Sequence, residues 1–130
     1  MREPEWLSKA LILAIHDEQL AEHGGSSGVR DDKLLDSTLA RPPNRFAYDN
    51  RADPATLAAA YASGIAKNRP FIDGNKRIAQ VAAELFLELN GLTLVASDQD
   101  CVLIMLRLAS GDVDEEAFGR WLRANSAYQE

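Results

Sequence analysis

Apolar residues recur at intervals of three and four positions along most of this 130-residue chain, the period of helices with one buried face. No segment shows the alternation of strands and helices that builds a parallel sheet. We therefore expect an all-α fold, a compact bundle of about six helices around a central helix. The predicted helices run from Trp6 to about Glu22, from Asp31 or Asp32 to about Ala40, from Pro54 onwards, from about Asn75 to Asn90 (the central helix), from Ser97 through Ala109, and from Asp114 to about Ala124.

Turn-forming residues separate these helices. Asp53 before Pro54 combines an N-cap with a proline in the first turn, which is a strong start signal. The pair Pro42–Pro43 is predicted to end the second helix, and residues 44–53 are then read as a loop. The segment GGSSG at 24–28 is interpreted as a flexible connection, and residues 92–96 as a brief extended piece.

Length, charge and cysteine content narrow the class of protein. We expect one domain over residues 1–130, with its core at about 6–125. The net charge of −6 argues against a protein that binds DNA or RNA by neutralising phosphates. Cys101 is the only cysteine; we expect it to be buried, in a chain from a reducing compartment. The opening is acidic and the apolar runs are short, so we predict a cytoplasmic protein without a membrane segment.

The segment that carries the chemistry is RPFIDGNKR at 69–77, which we call the motif loop. It is polar although it joins two apolar helices. Pro70 turns the chain, Phe71 and Ile72 are predicted to anchor the loop in the core, and Gly74 permits a positive φ and a close approach of the backbone to a ligand.

The residues after Gly74 predict an anion site. The first amides of a helix have no intrahelical partners and lie at the positive end of its dipole. Lys76 and Arg77 add two cations there, where a helix normally avoids them, and Asp73 is a hard ligand suited to Mg²⁺. The alternative is an ordinary helix start, in which Asp73 is an N-cap and the two cations are solvated.

The run AKNRPFIDGNKRIA resembles the signature of the Fic/Doc superfamily, His-Pro-Phe-x-Asp-Gly-Asn-Gly/Lys-Arg. Lysine rather than glycine at position 76 points to the Doc branch, the death-on-curing toxins. Other segments resemble family features in the family's order: WLSKALILAIHDEQLAEHGG, GVRDDKLLDSTLARP, ELNG and FGRWLRAN.

The resemblance implies a role for each position of the motif. Asp73 would coordinate Mg²⁺, Gly74 and Asn75 would shape the anion nest and contact phosphates, and Lys76 and Arg77 would hold the triphosphate of ATP. Doc-type members transfer the γ-phosphate to a threonine of elongation factor Tu, which arrests translation. A Phd-like antitoxin neutralises them by laying its C-terminal segment in a groove of the toxin.

Two alternatives to this assignment stay open. Fic-type members of the superfamily transfer AMP instead of phosphate; lysine at position 76 argues against that reaction, because it fills space that glycine leaves. The second alternative is a catalytically dead binding module that engages an antitoxin or another partner. Aromatic residues are the candidates for an exposed antitoxin groove, although core burial is expected for the two tryptophans: Trp6, Phe46, Tyr48, Trp121 and Tyr128.

The chain departs from the family at Arg69, the position of the motif histidine. In the family that histidine is the general base, and its imidazole suits the task because its pKa lies near neutrality. A guanidinium stays protonated and cannot accept a proton. His16 and His23 are read as surface or hydrogen-bonded residues. We therefore predict a chain that binds the nucleotide but is inactive or severely impaired, either as an inactivating mutant of a toxin or as a natural binding protein.

Overall fold

The computed structural model describes residues 3–129 and confirms the helical fold. Within them lie six helices and two short strands, with bounds as follows: α1 Lys9–His23, α2 Asp32–Tyr48, α3 Pro54–Asn68, α4 Asn75–Leu89, β1 Leu92–Leu94, α5 Asp98–Ser110, α6 Glu115–Ala124 and β2 Ser126–Tyr128. The strands form an antiparallel pair, in which Leu92 lies opposite Tyr128. None of the described helices is both long and apolar enough to cross a membrane.

Side-chain caps start most of the helices where the sequence indicates. Asp53 accepts a hydrogen bond from the amide of Thr56 at 2.9 Å, and Asp114 accepts one from Ala117 at 2.8 Å. Helix α1 begins later than predicted, because Ser8 is its cap. Trp6 therefore precedes the helix.

Helix α2 continues through Pro42–Pro43 to Tyr48, so the expected helix end at Ala40 and the expected loop over 44–48 were wrong. Both prolines have a backbone angle that suits a helix, and their cost is the hydrogen bonds to the carbonyls four residues earlier. Burial of Pro42 and an edge-on contact of Phe46 with Trp6, centroids 5.8 Å apart, offset that cost.

Helices α3 and α4 together form the centre of the bundle. Every residue of α3 from Leu57 to Ala66 is buried, because its alanines let α2, α4 and α6 pack against it. Helix α4, the predicted central helix, buries one broad face, including Ile78, Ala82 and Phe86. Cys101 is buried as predicted, and this burial raises the pKa of its thiol.

Candidate functional site

The motif loop begins where α3 ends. Arg69 is the C-cap of α3 and has left-handed backbone angles, φ 51° and ψ 58°. It is the one non-glycine residue with positive φ in the described part of the chain. Its amide donates to the carbonyl of Ile65 at 3.0 Å, and buried Pro70 then directs the chain away from the helix axis.

A second segment of backbone is paired with the loop. Val29 forms an antiparallel bridge with Phe71. The amide of Ile72 donates to the carbonyl of Gly28 at 3.1 Å, and the amide of Arg30 donates to the carbonyl of Pro70 at 2.8 Å. The connection after α1 was expected to be flexible, but its end at Gly28 is bonded to the motif loop.

The two apolar residues of the loop have opposite environments. Phe71 is fully buried, as predicted, whereas Ile72 is 53% exposed. Because successive side chains of an extended segment point to opposite sides, only one of the two can anchor the loop. The prediction that both are core anchors was therefore wrong for Ile72, which lines the cleft described below.

Asp73 presents a charged carboxylate whose two oxygens each accept one backbone hydrogen bond. The amide of Ser26 donates to Oδ2 at 3.2 Å, and the amide of Gly74 donates to Oδ1 at 2.8 Å. These two bonds, with smaller contributions from Arg77 and His16, hold the pKa of Asp73 below its usual range. The carboxylate is therefore ionised at neutral pH and keeps further lone pairs for a cation.

No side chain in the described part of the chain caps the N-terminus of α4. Its N-cap residue is Gly74, at φ 79°, so Asp73 is not the cap that the alternative interpretation assumed. The side chain of Asn75 turns inward instead, where its Oδ1 accepts from the amide of Phe71 and its Nδ2 donates to the carbonyl of Phe71, both at 3.0 Å. This pair of bonds closes the turn, and the Asn75 side chain is thereby used on Phe71 rather than on the first amides of α4.

Three cations share the cleft with these groups. Arg69, Lys76 and Arg77 line a cavity of about 730 Å³ together with Asp73. Among residues 3–129, none of the three arginine and lysine side chains forms an ion pair. Arg69 and Asp73 are therefore not paired in this part of the chain, and the cationic groups are free for an anionic ligand. The structure brings all the predicted site residues to this one cleft: Arg69, Asp73, Gly74, Asn75, Lys76 and Arg77.

The opposite wall of the cleft is apolar and was not anticipated from the sequence. It consists of Ile72 and one side of α5, with Val102, Met105, Leu106 and Ala109. Val102 is 52% and Leu106 48% exposed. The signal in the sequence was that α5 carries more apolar residues than one buried face needs.

The candidate aromatic residues lie elsewhere. Trp6 and Phe46 pack against the core, and Trp121 is stacked on Phe118 with centroids 6.0 Å apart. Both tryptophans are partly buried, so the expectation of core burial is met only in part. Tyr48 and Tyr128 are exposed, at 93% and 88%. None of the five lines the cleft.

The two histidines also differ. His23 is at the exposed end of α1, and its side chain is 45% exposed. His16 is 2% exposed, and its Nε2 lies 2.9 Å from the carbonyl oxygen of Asp73. The prediction of surface or hydrogen-bonded histidines is confirmed for both, but the sequence did not reveal that His16 lies under the motif loop.

Comparison with known proteins supports the resemblance seen in the motif. The model of the Fic/DOC family matches residues 6–87. Over 117 residues, 90% of this chain and 92% of the relative, the chain is 29% identical to "Protein kinase doc" of Escherichia phage P1. Over 75 residues, 56% of this chain and 57% of the relative, it is 44% identical to "Toxin Doc" of Mycolicibacterium smegmatis. The chain therefore belongs to the Fic/DOC family, and its similarity is to Doc toxins.

Proposed function

We propose that this chain is a Doc-type toxin whose cleft holds ATP and Mg²⁺ and whose reaction transfers phosphate to the hydroxyl of a protein. The observation that carries the proposal is a set of cations, Arg69, Lys76 and Arg77, that form no ion pair within residues 3–129. They lie beside the start of α4, which no described side chain caps. Free amides, a helix dipole and cations together are what a triphosphate requires.

The residues present fit the metal. Asp73 supplies one ionised carboxylate. Within the described residues no three or more acidic, histidine or cysteine side chains are clustered as a metal site made of protein groups alone, so the other ligands would come from phosphate and water. Mg²⁺ is typically bound through one or two carboxylates plus phosphate oxygens and water. When bound, the ion would neutralise charge on the phosphates, while Lys76 and Arg77 orient them.

Arg69 leaves the site without a general base. The guanidinium cannot take the proton of an incoming hydroxyl. His16 does not replace it, because its ring is buried and its Nε2 faces the carbonyl of Asp73. General bases contribute about 10²–10⁴-fold to rates, so we expect a loss of transfer of that order while nucleotide binding is kept.

Phosphate transfer is favoured over AMP transfer by two observations. The relative that covers 90% of this chain is named a protein kinase, and position 76 is lysine rather than glycine. From the family resemblance we expect a threonine of elongation factor Tu as the target, and arrest of translation in the cytoplasm as the consequence.

The same family resemblance leads us to expect a Phd-like antitoxin as the partner of this chain. The apolar wall of the cleft supports the existence of a protein partner, since Val102 and Leu106 are half exposed. A binding module without transfer activity is the second candidate function, and Arg69 is the observation that favours it.

The test compares the parent chain with its Arg69→His variant. Calorimetry with Mg-ATP should detect binding by both proteins, whereas phosphotransfer to elongation factor Tu should appear only in the variant. An Arg69→His/Asp73→Asn double variant is the control and should transfer nothing. Mass spectrometry of the target distinguishes an added phosphate from an added AMP.

Equal transfer by the parent and the variant would contradict the assignment of Arg69 as the missing base. Binding of Mg-ATP by neither protein would contradict the proposed function itself. A variant that binds Mg-ATP, modifies no protein and causes no toxicity would favour the binding module.

A further inference from the structure

His16 is a polar residue on the buried face of α1, and the sequence alone does not explain why a histidine is buried there. Together with Ile12, one turn earlier, it forms the buried face of α1. Ile12 is an ordinary core residue at 0% exposure, whereas His16 brings a polar ring to 2% exposure. A buried imidazole needs a hydrogen-bond partner, and this one has its partner in the motif loop.

Three contacts connect the ring to the two ends of the turn 71–74. The imidazole is stacked on Phe71, with centroids 4.0 Å apart and planes at 17°. Its Nε2 is 2.9 Å from the carbonyl oxygen of Asp73. A Cβ added to Gly74 would lie 3.7 Å from the same nitrogen, so the ring lies directly against the Gly74 backbone.

The hydrogen bond fixes the orientation of one peptide group. A carbonyl oxygen only accepts, so Nε2 is the donor. In a trans peptide the C=O of Asp73 and the N–H of Gly74 point in opposite directions. When His16 holds the carbonyl inward, the amide of Gly74 points outward, and it is this amide that donates to Oδ1 of Asp73 at 2.8 Å.

We infer that His16 is a positioning residue for the Asp73 carboxylate: it sets the Asp73–Gly74 peptide, and through it the direction of the proposed metal ligand. Gly74, with a positive φ of 79°, has the freedom to let this peptide rotate once the donor is lost. Among the described residues, the amide of Ser26 would then be the one remaining donor to the carboxylate. This inference rests on the proposed function for its consequence, but its structural part does not.

The substitutions separate the donor from the bulk of the ring. His16→Leu fills much of the space and removes the donor. His16→Gln keeps an N–H donor, because its amide nitrogen is the same number of bonds from Cα as Nε2 of histidine. Ile12→Val is the matched control, since it perturbs the same buried face of α1 one turn away from the ring.

The expected result is specific to the metal. Partners that orient a metal ligand typically change metal affinity by 10–100-fold, so calorimetry should give His16→Leu about 10-fold weaker binding of Mg-ATP. Binding of ATP without Mg²⁺ should change by less than about 3-fold. His16→Gln should recover most of the Mg-ATP affinity, and Ile12→Val should keep it.

The second measurement needs no nucleotide. In the free protein, hydrogen exchange of the Gly74 amide, followed by NMR, should accelerate at least about 10-fold in His16→Leu relative to the amides of α3, and less in His16→Gln. Equal loss of ATP binding with and without Mg²⁺, or an unchanged Gly74 amide, would overturn the inference. If the parent binds no Mg-ATP, the proposed function fails, and the Gly74 exchange still decides the role of His16.

Discussion

The guanidinium of Arg30 donates through Nε to the carbonyl oxygen of Arg69, at 2.7 Å. Its Nη2 donates to the carbonyl of Asn68, also at 2.7 Å. Both carbonyls belong to the end of α3, where the last acceptors lack helical partners and carry the negative end of the dipole. Arg30 therefore caps α3 and holds the backbone of the residue at which the motif loop begins.

We predict that Arg30→Met lowers the free energy of unfolding by about 1 kcal/mol, because it removes two charge-assisted hydrogen bonds from an exposed site. Urea unfolding measures this difference. Arg51→Met is the control: the Arg51 side chain is 91% exposed, and its removal should change stability by less than about 0.5 kcal/mol. Equal effects of the two substitutions would contradict the capping role.

The left-handed backbone at Arg69 gives a second prediction. Such angles cost a non-glycine residue roughly 1–2 kcal/mol, which the larger unfolded-state entropy of glycine, about 0.5–1 kcal/mol, partly offsets. Arg69→Gly should therefore stabilise the protein by about 0.5 kcal/mol, and Arg69→Val should destabilise it by about 1 kcal/mol. Thermal and urea unfolding test the order of the three proteins; a valine variant as stable as the parent would contradict it.

Histidine belongs to the same comparison. It is among the residues that are enriched in left-handed conformations, so Arg69→His should unfold within about 0.5 kcal/mol of the parent. The transfer experiment with that variant then reports on the base rather than on folding.

Local hydrogen bonds explain which parts of the fold the sequence predicts. Asp53, Ser97 and Asp114 each accept from an amide three residues later, so the signal lies within four residues of sequence. The path of α2 through Pro42 is different, because the contacts that compensate for it come from other elements. The pairing of β1 with β2 likewise joins segments more than 30 residues apart.

The candidate site shows the same difference between local contacts, which the sequence predicts, and contacts between distant segments, which it does not. Residues 73–77 are adjacent in sequence, and their chemistry can be read from their order. His16 is 57 positions from Asp73 and Ser26 is 47 positions from it, while Arg30 is 39 from Arg69. No periodicity or motif spacing encodes such contacts, so the residues that support the loop could be found only from the fold.

The ion pair between Asp53 and Arg123 predicts a pH dependence of stability. Arg123 Nε donates to Asp53 Oδ2 at 2.7 Å. This hydrogen bond, with those from Thr56, lowers the pKa of Asp53 from 3.8 to about 2. Because the folded-state pKa is depressed, the stabilisation is present above pH 3.8 and is lost as the pH falls towards 2.

A full shift of this size corresponds to about 2.4 kcal/mol. The Asp53 side chain is 38% exposed, so solvent screening reduces the expected contribution to about 1 kcal/mol. Urea unfolding between pH 2 and 6 should show a smaller loss of stability in Arg123→Gln than in the parent. Asp53→Asn keeps the N-cap of α3 and should flatten the same part of the curve; parallel curves for all three proteins would exclude this role.

Asn75 supplies the last prediction. Its side chain is 8% exposed and matches the backbone of Phe71 with one acceptor and one donor, both at 3.0 Å. Asn75→Asp replaces the donor with a charged oxygen facing the carbonyl of Phe71. A buried polar group left in that state costs roughly 1–3 kcal/mol, and more when charged, so we expect a loss of about 3 kcal/mol in urea unfolding.

The control for Asn75→Asp is Asn50→Asp, at an exposed turn, which makes the same chemical change and should alter stability by less than about 0.5 kcal/mol. The pH dependence distinguishes a buried charge from altered packing as the cause of the loss of stability. If the buried charge is responsible, Asn75→Asp should regain part of its stability below pH 4, where an aspartate is protonated and becomes a donor again. A loss that is the same at pH 3.5 and pH 7, relative to the parent at each pH, would instead assign the effect to packing.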